Sequence, residues 1–280
     1  MMYEKPTLSI QNLNKQFGTG CDHCLNHETR VLNQNFCPEC GTVYACQDIS
    51  FDLFPGEILG VVGESGSGKS SLMKCMYFDS DVTSGEMYVD HKDFEGENLV
   101  HLSAQQKRYI RNHHYGMVYQ NPATGLKMDF SSIGNIAEKQ IAAGNRNVNQ
   151  MESTGKRLLE TVHIPIFRMK EEPKNFSGGM QQRVQIAKAL SNNPPVLFLD
   201  EVTTGLDLSV QADVLDLIKN IQLEFGISMV VVSHDLAVIR MLADRTIVML
   251  NGKIIEQGLT DQILEDPFHA YTQQLVYSLL

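Results

Sequence analysis

The hydrophobic residues of this sequence are grouped into short apolar runs of the kind that form buried parallel strands. Runs at 58–62, 196–199 and 228–232 each end in polar or glycine-rich sequence. The segment 7–13 instead alternates apolar and polar residues, which is the pattern of a half-buried strand. Two further segments with strand character complete a small antiparallel sheet, 42–44 and 49–53. We therefore expect an α/β fold that combines a buried parallel core with this smaller sheet.

The residues from 121 to 193 have a predominantly helical pattern, which is interrupted at Gly144, Pro165 and Pro173. Glycine and proline interrupt helices because glycine loses much backbone entropy on folding and proline lacks the N–H donor. We expect this region to be a helical subdomain set into the α/β core.

The turn after the 58–62 run carries the clearest chemical signal. Its sequence is Gly63-Glu64-Ser65-Gly66-Ser67-Gly68-Lys69-Ser70, and helical sequence begins at Ser71. This matches the phosphate-binding loop G-x-x-x-x-G-K-[ST]. Its glycines let backbone N–H groups point at phosphate oxygens, and the helix N-terminus adds partial positive charge. Lys69 can reach the β- and γ-phosphates and the Ser70 hydroxyl can ligate Mg²⁺, so we expect the loop to bind a nucleoside triphosphate.

A second candidate anion site lies at the sequence Ser177-Gly178-Gly179-Met180-Gln181, ahead of a helix predicted over 183–190. A serine cap followed by small residues leaves backbone N–H groups exposed at a helix N-terminus. A serine and two glycines are a weak motif alone. They become a stronger one because the 196–199 strand, which follows this helix, ends in two carboxylates.

Asp200 and Glu201 follow the 196–199 run directly, at the carboxyl end of a strand, where ligands bind in parallel α/β sheets. Asp200 is placed to hold Mg²⁺ and Glu201 to polarise an attacking water. His234 follows the 228–232 run in the same way. Considered alone, His234 is better explained as a histidine of the core.

Two C-x₂-C pairs separated by twelve residues predict a metal site, with Cys21, Cys24, Cys37 and Cys40 as ligands. Four thiolates in a tetrahedron suit structural Zn²⁺ and leave no open position for catalysis. His23 and His27 remain alternative ligands, and four reduced surface cysteines without metal remain the alternative to the site itself. We expect residues 18–42 to be a zinc-binding module inserted at a hairpin tip, where it contacts a partner.

The composition limits the classes of function. The 280 residues carry a net charge of −10, which argues against a nucleic-acid-binding surface. The sequence has neither a signal peptide pattern nor an apolar run near the roughly 20 residues that span a bilayer. We therefore expect a cytoplasmic protein, in which six cysteines are more consistent with metal ligands and buried thiols than with disulfides.

Together these motifs resemble the ATP-binding cassette (ABC) family over nearly the whole chain apart from Cys21–Cys40. The resemblance implies one ABC-type nucleotide-binding domain over 1–280, with a phosphate-loop core, an antiparallel β-subdomain and the helical subdomain at 121–193. It also implies ATP and Mg²⁺ as cofactors, ATP hydrolysis by a dimer, and a second ABC subunit that is identical or paralogous.

The family's pattern implies a role for each residue that matches it. Phe17 resembles the aromatic residue that stacks on adenine, Gln120 the glutamine that links Mg²⁺ and water to the helical subdomain, and His234 the histidine that contacts the γ-phosphate. The run at 177–181 resembles the signature that meets ATP held by the opposing subunit. Val202 departs from the family, which usually has proline there.

The implied catalytic residues are Glu201, His234 and Gln120. The implied Mg²⁺ ligands are Ser70, Gln120 and Asp200. The implied nucleotide-binding residues are Phe17, Gly63, Glu64, Ser65, Gly66, Ser67, Gly68, Lys69, Ser70, Ser71, Asp200, Ser177, Gly178, Gly179 and Gln181.

Two segments, 206–212 and the C-terminal 266–272, resemble the dipeptide, oligopeptide and nickel importer branch of the family. Within that branch, four segments look most like the ATPases of the bacterial phosphonate carbon–phosphorus lyase systems: 164–165, 176–186, 242–245 and 258–261. That resemblance implies a soluble lyase core as partner, and the alternative is an integral membrane permease of an importer. A third reading, a nucleic-acid-linked cassette that uses the zinc module as a reader, is disfavoured by the acidic charge.

Overall fold

The computed structural model describes residues 5–25 and 32–277, so His27, named above as an alternative metal ligand, lies outside the described residues. The strands are β1 (Leu8–Phe17), β2 (Val43–Leu53), β3 (Ile58–Val62), β4 (Ser84–Val89), β5 (Tyr115–Val118), β6 (Val196–Asp200), β7 (Ser228–Val232), β8 (Arg245–Leu250) and β9 (Lys253–Leu259). The helices are α1 (Asp22–Leu25), α2 (Lys69–Met76), α3 (Ala104–His113), α4 (Pro122–Gly125), α5 (Ser132–Ala142), α6 (Val148–Thr161), α7 (Gly178–Leu190), α8 (Leu208–Phe225), α9 (Leu236–Leu242), α10 (Thr260–Glu265) and α11 (Ala270–Tyr277).

The chain divides into two compact units. The first contains the described residues of Met1–Phe54, Leu59–Leu102 and Val232–Leu280. The second contains Pro55–Ile58 and Ser103–Val231. Among the described residues, no helix is both long enough and apolar enough to cross a membrane.

The first unit contains an antiparallel sheet with the strand order β2-β1-β4. Strand β1 buries Leu8, Ile10 and Leu13, but burial does not alternate strictly, because Ser9 is also buried and a register shift lies between Ile10 and Leu13. The two segments with strand character after residue 42 form the single strand β2 instead of two. Register shifts between β1 and β2 take up the irregular sequence between those segments, because a bulge keeps a strand continuous where the pairing slips.

The same unit contains β3, β8 and β9, in which β3 and β8 are parallel and β8 and β9 are antiparallel. All five residues of β3 are buried, which confirms the prediction of a buried parallel strand at 58–62. Strands of this kind are apolar throughout because both faces are covered. The phosphate-loop sequence lies directly between β3 and α2.

The second unit contains strands in the order β5-β6-β7 together with helices α3 to α8. All five residues of β6 are buried, and β6 is parallel to β5. Helix α7 begins at Gly178 and not at Arg183, because the Ser177 side chain accepts a hydrogen bond from the Met180 N–H and caps the helix there. The two glycines therefore belong to the first turn of α7.

Candidate functional site

The loop between β3 and α2 needs glycine at both of its ends. Gly63 and Gly68 have φ angles of 149° and 107°, in the region that favours glycine. A Cβ atom at Gly63 would collide with the backbone oxygen of Met249, and one at Gly68 with that of Ala45. The loop therefore lies against two neighbouring strands at distances that only glycine permits.

Lys69 lies at the start of α2, and only 5% of its surface is exposed. Its Nζ donates hydrogen bonds to the carbonyl oxygens of Gly63 at 2.7 Å and Glu64 at 2.9 Å, and lies 3.4 Å from Ser67 Oγ. The ammonium group is thus held at the loop by the loop's own backbone. Ser67 is also buried, whereas Glu64, Ser65 and Ser70 are exposed and Ser71 is half-buried.

Phe17 ends β1, opposite Val43 of β2, and about half of its surface is exposed. Lys15 Nζ lies 4.7 Å from the centre of its ring, within the range of a cation–π contact. Ala45, which contacts Gly68 of the phosphate loop, lies two residues further along β2 than Val43. The strand β2 therefore contacts both Phe17 and the loop, at positions two residues apart.

His234 is exposed, so the structure does not support the interpretation of a core histidine. The residue before it, Ser233, donates its N–H to the Val61 carbonyl of β3 at 3.2 Å. The residue after it, Asp235, caps α9 by accepting a hydrogen bond from the Ala237 N–H. The Ser233 bond therefore holds the backbone next to His234 near the end of β3, where the phosphate-loop sequence begins, and the Asp235 bond fixes the start of α9.

In the second unit, the structure brings Gln120 and Glu201 together. Gln120 Nε2 donates a hydrogen bond to Glu201 Oε2 at 3.0 Å, and Thr204 Oγ1 lies 3.3 Å from the same oxygen. Glu201 follows β6 with a φ of 45°, while Asp200 before it is buried. Gln120 and Thr204 therefore contact the same carboxylate oxygen of Glu201, at the carboxyl ends of β5 and β6.

A pair of buried glutamines on α7 holds the residue before Gln120, and sequence reasoning missed them. Gln185 Oε1 accepts a hydrogen bond from the Tyr119 N–H at 2.8 Å, and its Nε2 donates to the Tyr119 carbonyl at 3.0 Å. Gln182 Nε2 donates to the same carbonyl at 3.4 Å. The one signal in the sequence is the placement of two amides three residues apart on a largely apolar helix.

The N-terminus of α7 carries the predicted signature. Ser177 caps the helix, and Gly179 packs so closely on Val210 of α8 that a side chain there would collide with it. Gln181 donates from Nε2 to the carbonyl oxygens of Pro173 and Phe176, at 3.0 and 3.1 Å. The amide of Gln181 therefore fastens the segment before the helix.

The four predicted cysteine ligands lie together in the first unit, with their Sγ atoms all within 4.8 Å of one another. The Sγ–Sγ distance is 3.7 Å for Cys21–Cys24, 3.8 Å for Cys21–Cys37 and 3.7 Å for Cys24–Cys40. A zinc–sulfur bond of about 2.3 Å in a tetrahedron places neighbouring sulfurs about 3.8 Å apart. The arrangement of thiols therefore fits a tetrahedral metal ion.

Surrounding groups support these thiols. The Cys21 N–H donates to Cys24 Sγ at 3.2 Å, and the Tyr44 hydroxyl donates to the Cys24 carbonyl at 3.1 Å. Hydrogen bonds with the side chain and backbone of Thr42 lower the pKa of the Cys40 thiol to about 6, which favours the thiolate form that binds metal. At Cys21 the balance is opposite: a backbone hydrogen bond with Cys24 lowers the pKa of the thiol, but desolvation and side-chain hydrogen bonds with Cys40 and Cys24 outweigh it and raise the pKa to about 11. The exposed side chain of His23 is not part of the four-sulfur cluster.

Comparison with known proteins gives relatives over most of the chain. A family model described as ABC transporter matches residues 46–204. The ATP-binding protein PhnK of Escherichia coli (strain K12), named for phosphonates utilization, is 46% identical over 83% of this chain and 90% of its own length. The oligopeptide transport ATP-binding protein OppD of Bacillus subtilis (strain 168) is 37% identical over 90% of this chain and 71% of its own length. The solved dimer of the ATP-binding cassette MJ0796, in a post-hydrolysis state bound to ADP and Pi, has a TM-score of 0.74 at 25% identity and covers 90% of this chain and 98% of its own.

Proposed function

The chain belongs to the ABC family, whose members bind ATP with Mg²⁺ and hydrolyse it, and on that premise we propose a role for each part of its site. The loop 63–70 holds the phosphates of ATP. The close packing of Gly63 and Gly68 supports this role, because it fixes the curved backbone that turns N–H groups toward an anion. Lys69 exchanges its bonds to the loop carbonyls for bonds to phosphate oxygens, and Ser70 supplies a hydroxyl to Mg²⁺.

Two other residues of the first unit complete the nucleotide site in this proposal. Phe17 offers the face of its ring opposite Lys15 to adenine, since stacking needs an exposed aromatic surface. His234 contacts the γ-phosphate from the end of β7, where the bonds of its neighbours fix its backbone.

The hydrolytic step is assigned to Glu201 in the second unit, and its contact with Gln120 is the observation that carries the assignment. The 3.0 Å bond from Gln120 orients the Glu201 carboxylate, whose role in this proposal is to polarise water. Asp200, buried at the end of β6, and the amide oxygen of Gln120 are proposed as Mg²⁺ ligands. These roles rest on the geometry of the second unit alone.

Assembly follows from the N-terminus of α7. We assign Ser177, Gly178 and Gly179 to the cap on ATP that a second ABC subunit holds, identical or paralogous to this chain. The role proposed for Gln181 in this signature is to hold the segment before α7 in place, since its amide donates hydrogen bonds to the carbonyl oxygens of Pro173 and Phe176. The helical subdomain proposed for 121–193 begins directly after Gln120 and contains the signature.

The cluster of four cysteines is assigned to one structural Zn²⁺ in the module over 18–42. The agreement between the measured sulfur–sulfur distances and a tetrahedron of zinc–sulfur bonds supports this ion. A four-thiolate site has no open coordination position, so the role proposed for the metal is to stabilise the segment. Contact between the surface of this module and a partner is a separate part of the proposal.

The most specific part of the proposal is that this protein is the accessory ATPase of a cytoplasmic phosphonate carbon–phosphorus lyase complex. The 46% identity to PhnK over 90% of that protein supports it. The second candidate is the ATPase subunit of a peptide or nickel importer, which the 37% identity to OppD favours. The sequence likeness to PhnK is the greater of the two.

A pull-down from cells of the source organism, using an affinity tag on this chain, separates the two candidates. Soluble proteins of a carbon–phosphorus lyase core should co-purify with the chain, and a serine variant of the four cysteines should recover less of them. Recovery of an integral membrane permease in detergent, without lyase proteins, would contradict the phosphonate assignment and support the importer.

A further inference from the structure

The C-terminal segment that resembles the importer branch contacts the phosphate loop directly. Helix α11 contains Tyr271, whose hydroxyl oxygen accepts a hydrogen bond from the Glu64 N–H at 2.8 Å. The two residues are separated by 207 positions in the sequence. Glu64 is the second residue of the loop, so the contact lies where the backbone leaves β3 and begins to curve.

The N-terminus of α11 is itself fastened, which gives Tyr271 a defined position. The two carboxylate oxygens of Glu256, on β9, accept hydrogen bonds from the N–H groups of Phe268 at 2.7 Å and His269 at 3.0 Å. His269 Nδ1 then accepts a hydrogen bond from the Tyr271 N–H at 3.1 Å. A carboxylate on exposed N–H groups at a helix N-terminus is a favourable contact in both charge and geometry.

Strand register explains why this anchor lies near the loop. Val62, the last residue of β3, pairs with Val248 of β8, and Val248 pairs with Glu256 of β9. Glu256 therefore lies in the same row of the sheet as the residue before the loop, at two strand spacings, or about 10 Å. Glu256 binds the residues just before α11, and the first turn of that helix places the Tyr271 hydroxyl at the Glu64 N–H.

We propose that Tyr271 is a positioning residue that holds the entrance of the phosphate loop in the conformation that binds nucleotide. Its hydroxyl oxygen accepts the hydrogen bond of the Glu64 N–H and so fixes the direction in which the loop leaves β3. The backbone N–H groups later in the loop are then positioned to point at the phosphates. The inference rests on the proposed function, because it matters only if the loop at 63–70 holds those phosphates.

The test compares Tyr271→Phe with Tyr277→Phe, which removes an exposed hydroxyl from the same helix. Loss of one hydrogen bond that fixes the loop should raise the Kd for Mg²⁺-ADP about three- to tenfold, with a parallel rise in the KM for ATP and no change in kcat. Isothermal titration calorimetry and steady-state kinetics measure these values. A Kd for Tyr271→Phe within about twofold of that for Tyr277→Phe would overturn the inference.

Hydrogen exchange gives a second readout that does not depend on turnover. Peptides that contain the loop should exchange faster in Tyr271→Phe than in the wild-type protein without nucleotide, and unchanged exchange would also overturn the inference. Lys69→Ala separates this result from the proposed function. If Lys69→Ala loses ADP binding while Tyr271→Phe does not, the positioning role alone has failed, and if Lys69→Ala binds normally, the proposed phosphate site has failed.

Discussion

Gln185→Met tests whether α7 positions Gln120 for catalysis. Methionine is close to glutamine in size and shape but provides neither the strong acceptor nor the donor that Gln185 directs at the Tyr119 backbone, at 2.8 and 3.0 Å. Gln185 is almost fully buried, so water cannot easily replace its hydrogen bonds. The substitution therefore removes the fastening of the residue that precedes Gln120 and leaves the loop at 63–70 unaltered.

The expected magnitude follows from the two bonds that are lost. Each is worth about 1 kcal/mol net, and somewhat more where one partner is shielded from water, so the local cost is about 2–3 kcal/mol. If that free energy is lost from the arrangement in which Gln120 contacts Glu201, the population of the arrangement decreases by about 30- to 160-fold. Other contacts of Tyr119 reduce the effect, so we expect kcat to decrease about tenfold or more.

The assay measures kcat for ATP and the Kd for Mg²⁺-ADP in the wild-type protein, in Gln185→Met and in the control Gln150→Met, which alters an exposed side chain of α6. Gln185→Met should lose kcat with the Kd within about twofold of wild type, and Gln150→Met should change neither value. A folded Gln185→Met variant with wild-type kcat would refute the reasoning.

Three further predictions address the metal, the loop and assembly. Replacing all four cysteines of the 18–42 module by serine should reduce the zinc content, measured by emission spectrometry, from about one ion per chain to none, while most ATPase activity remains. Absence of metal from purified wild-type protein would contradict the zinc site. Gly68→Ala should abolish ADP binding in calorimetry because its Cβ collides with the Ala45 backbone, whereas Gly66→Ala, with open space around it, should weaken binding only through its backbone strain. The specific activity of wild-type protein should rise with protein concentration as dimers form, and a constant value down to monomeric dilution would contradict the shared site.

The sequence predicted those parts of the molecule whose structure depends on residues that are adjacent in the chain. The loop at 63–70 needs glycines, Lys69 and Ser70 in fixed order between a strand and a helix, and a local pattern contains all of that. The four cysteines are similar, because two short knuckles bring each pair of thiols together by themselves.

Contacts between distant residues were not predictable in this way. The Gln185–Tyr119 bonds connect residues 66 positions apart, and neither residue belongs to a motif of the loop. The Tyr271–Glu64 bond depends on the register of three strands, which local periodicity does not specify. The start of α7 was placed too late because two glycines suggest a turn, whereas the capping bond from Ser177 extends the helix over them.

The central claim is that Glu201 performs the hydrolytic step at a site that binds ATP independently of it. The most direct measurement follows ATP hydrolysis, nucleotide affinity and oligomeric state in Glu201→Gln, with Glu224→Gln on the exposed face of α8 as the matched control. Loss of a group that polarises water should slow hydrolysis by about 100-fold or more, leave the affinity for ATP intact and accumulate an ATP-bound dimer, while Glu224→Gln behaves as wild type. Hydrolysis by Glu201→Gln at the wild-type rate would contradict the account.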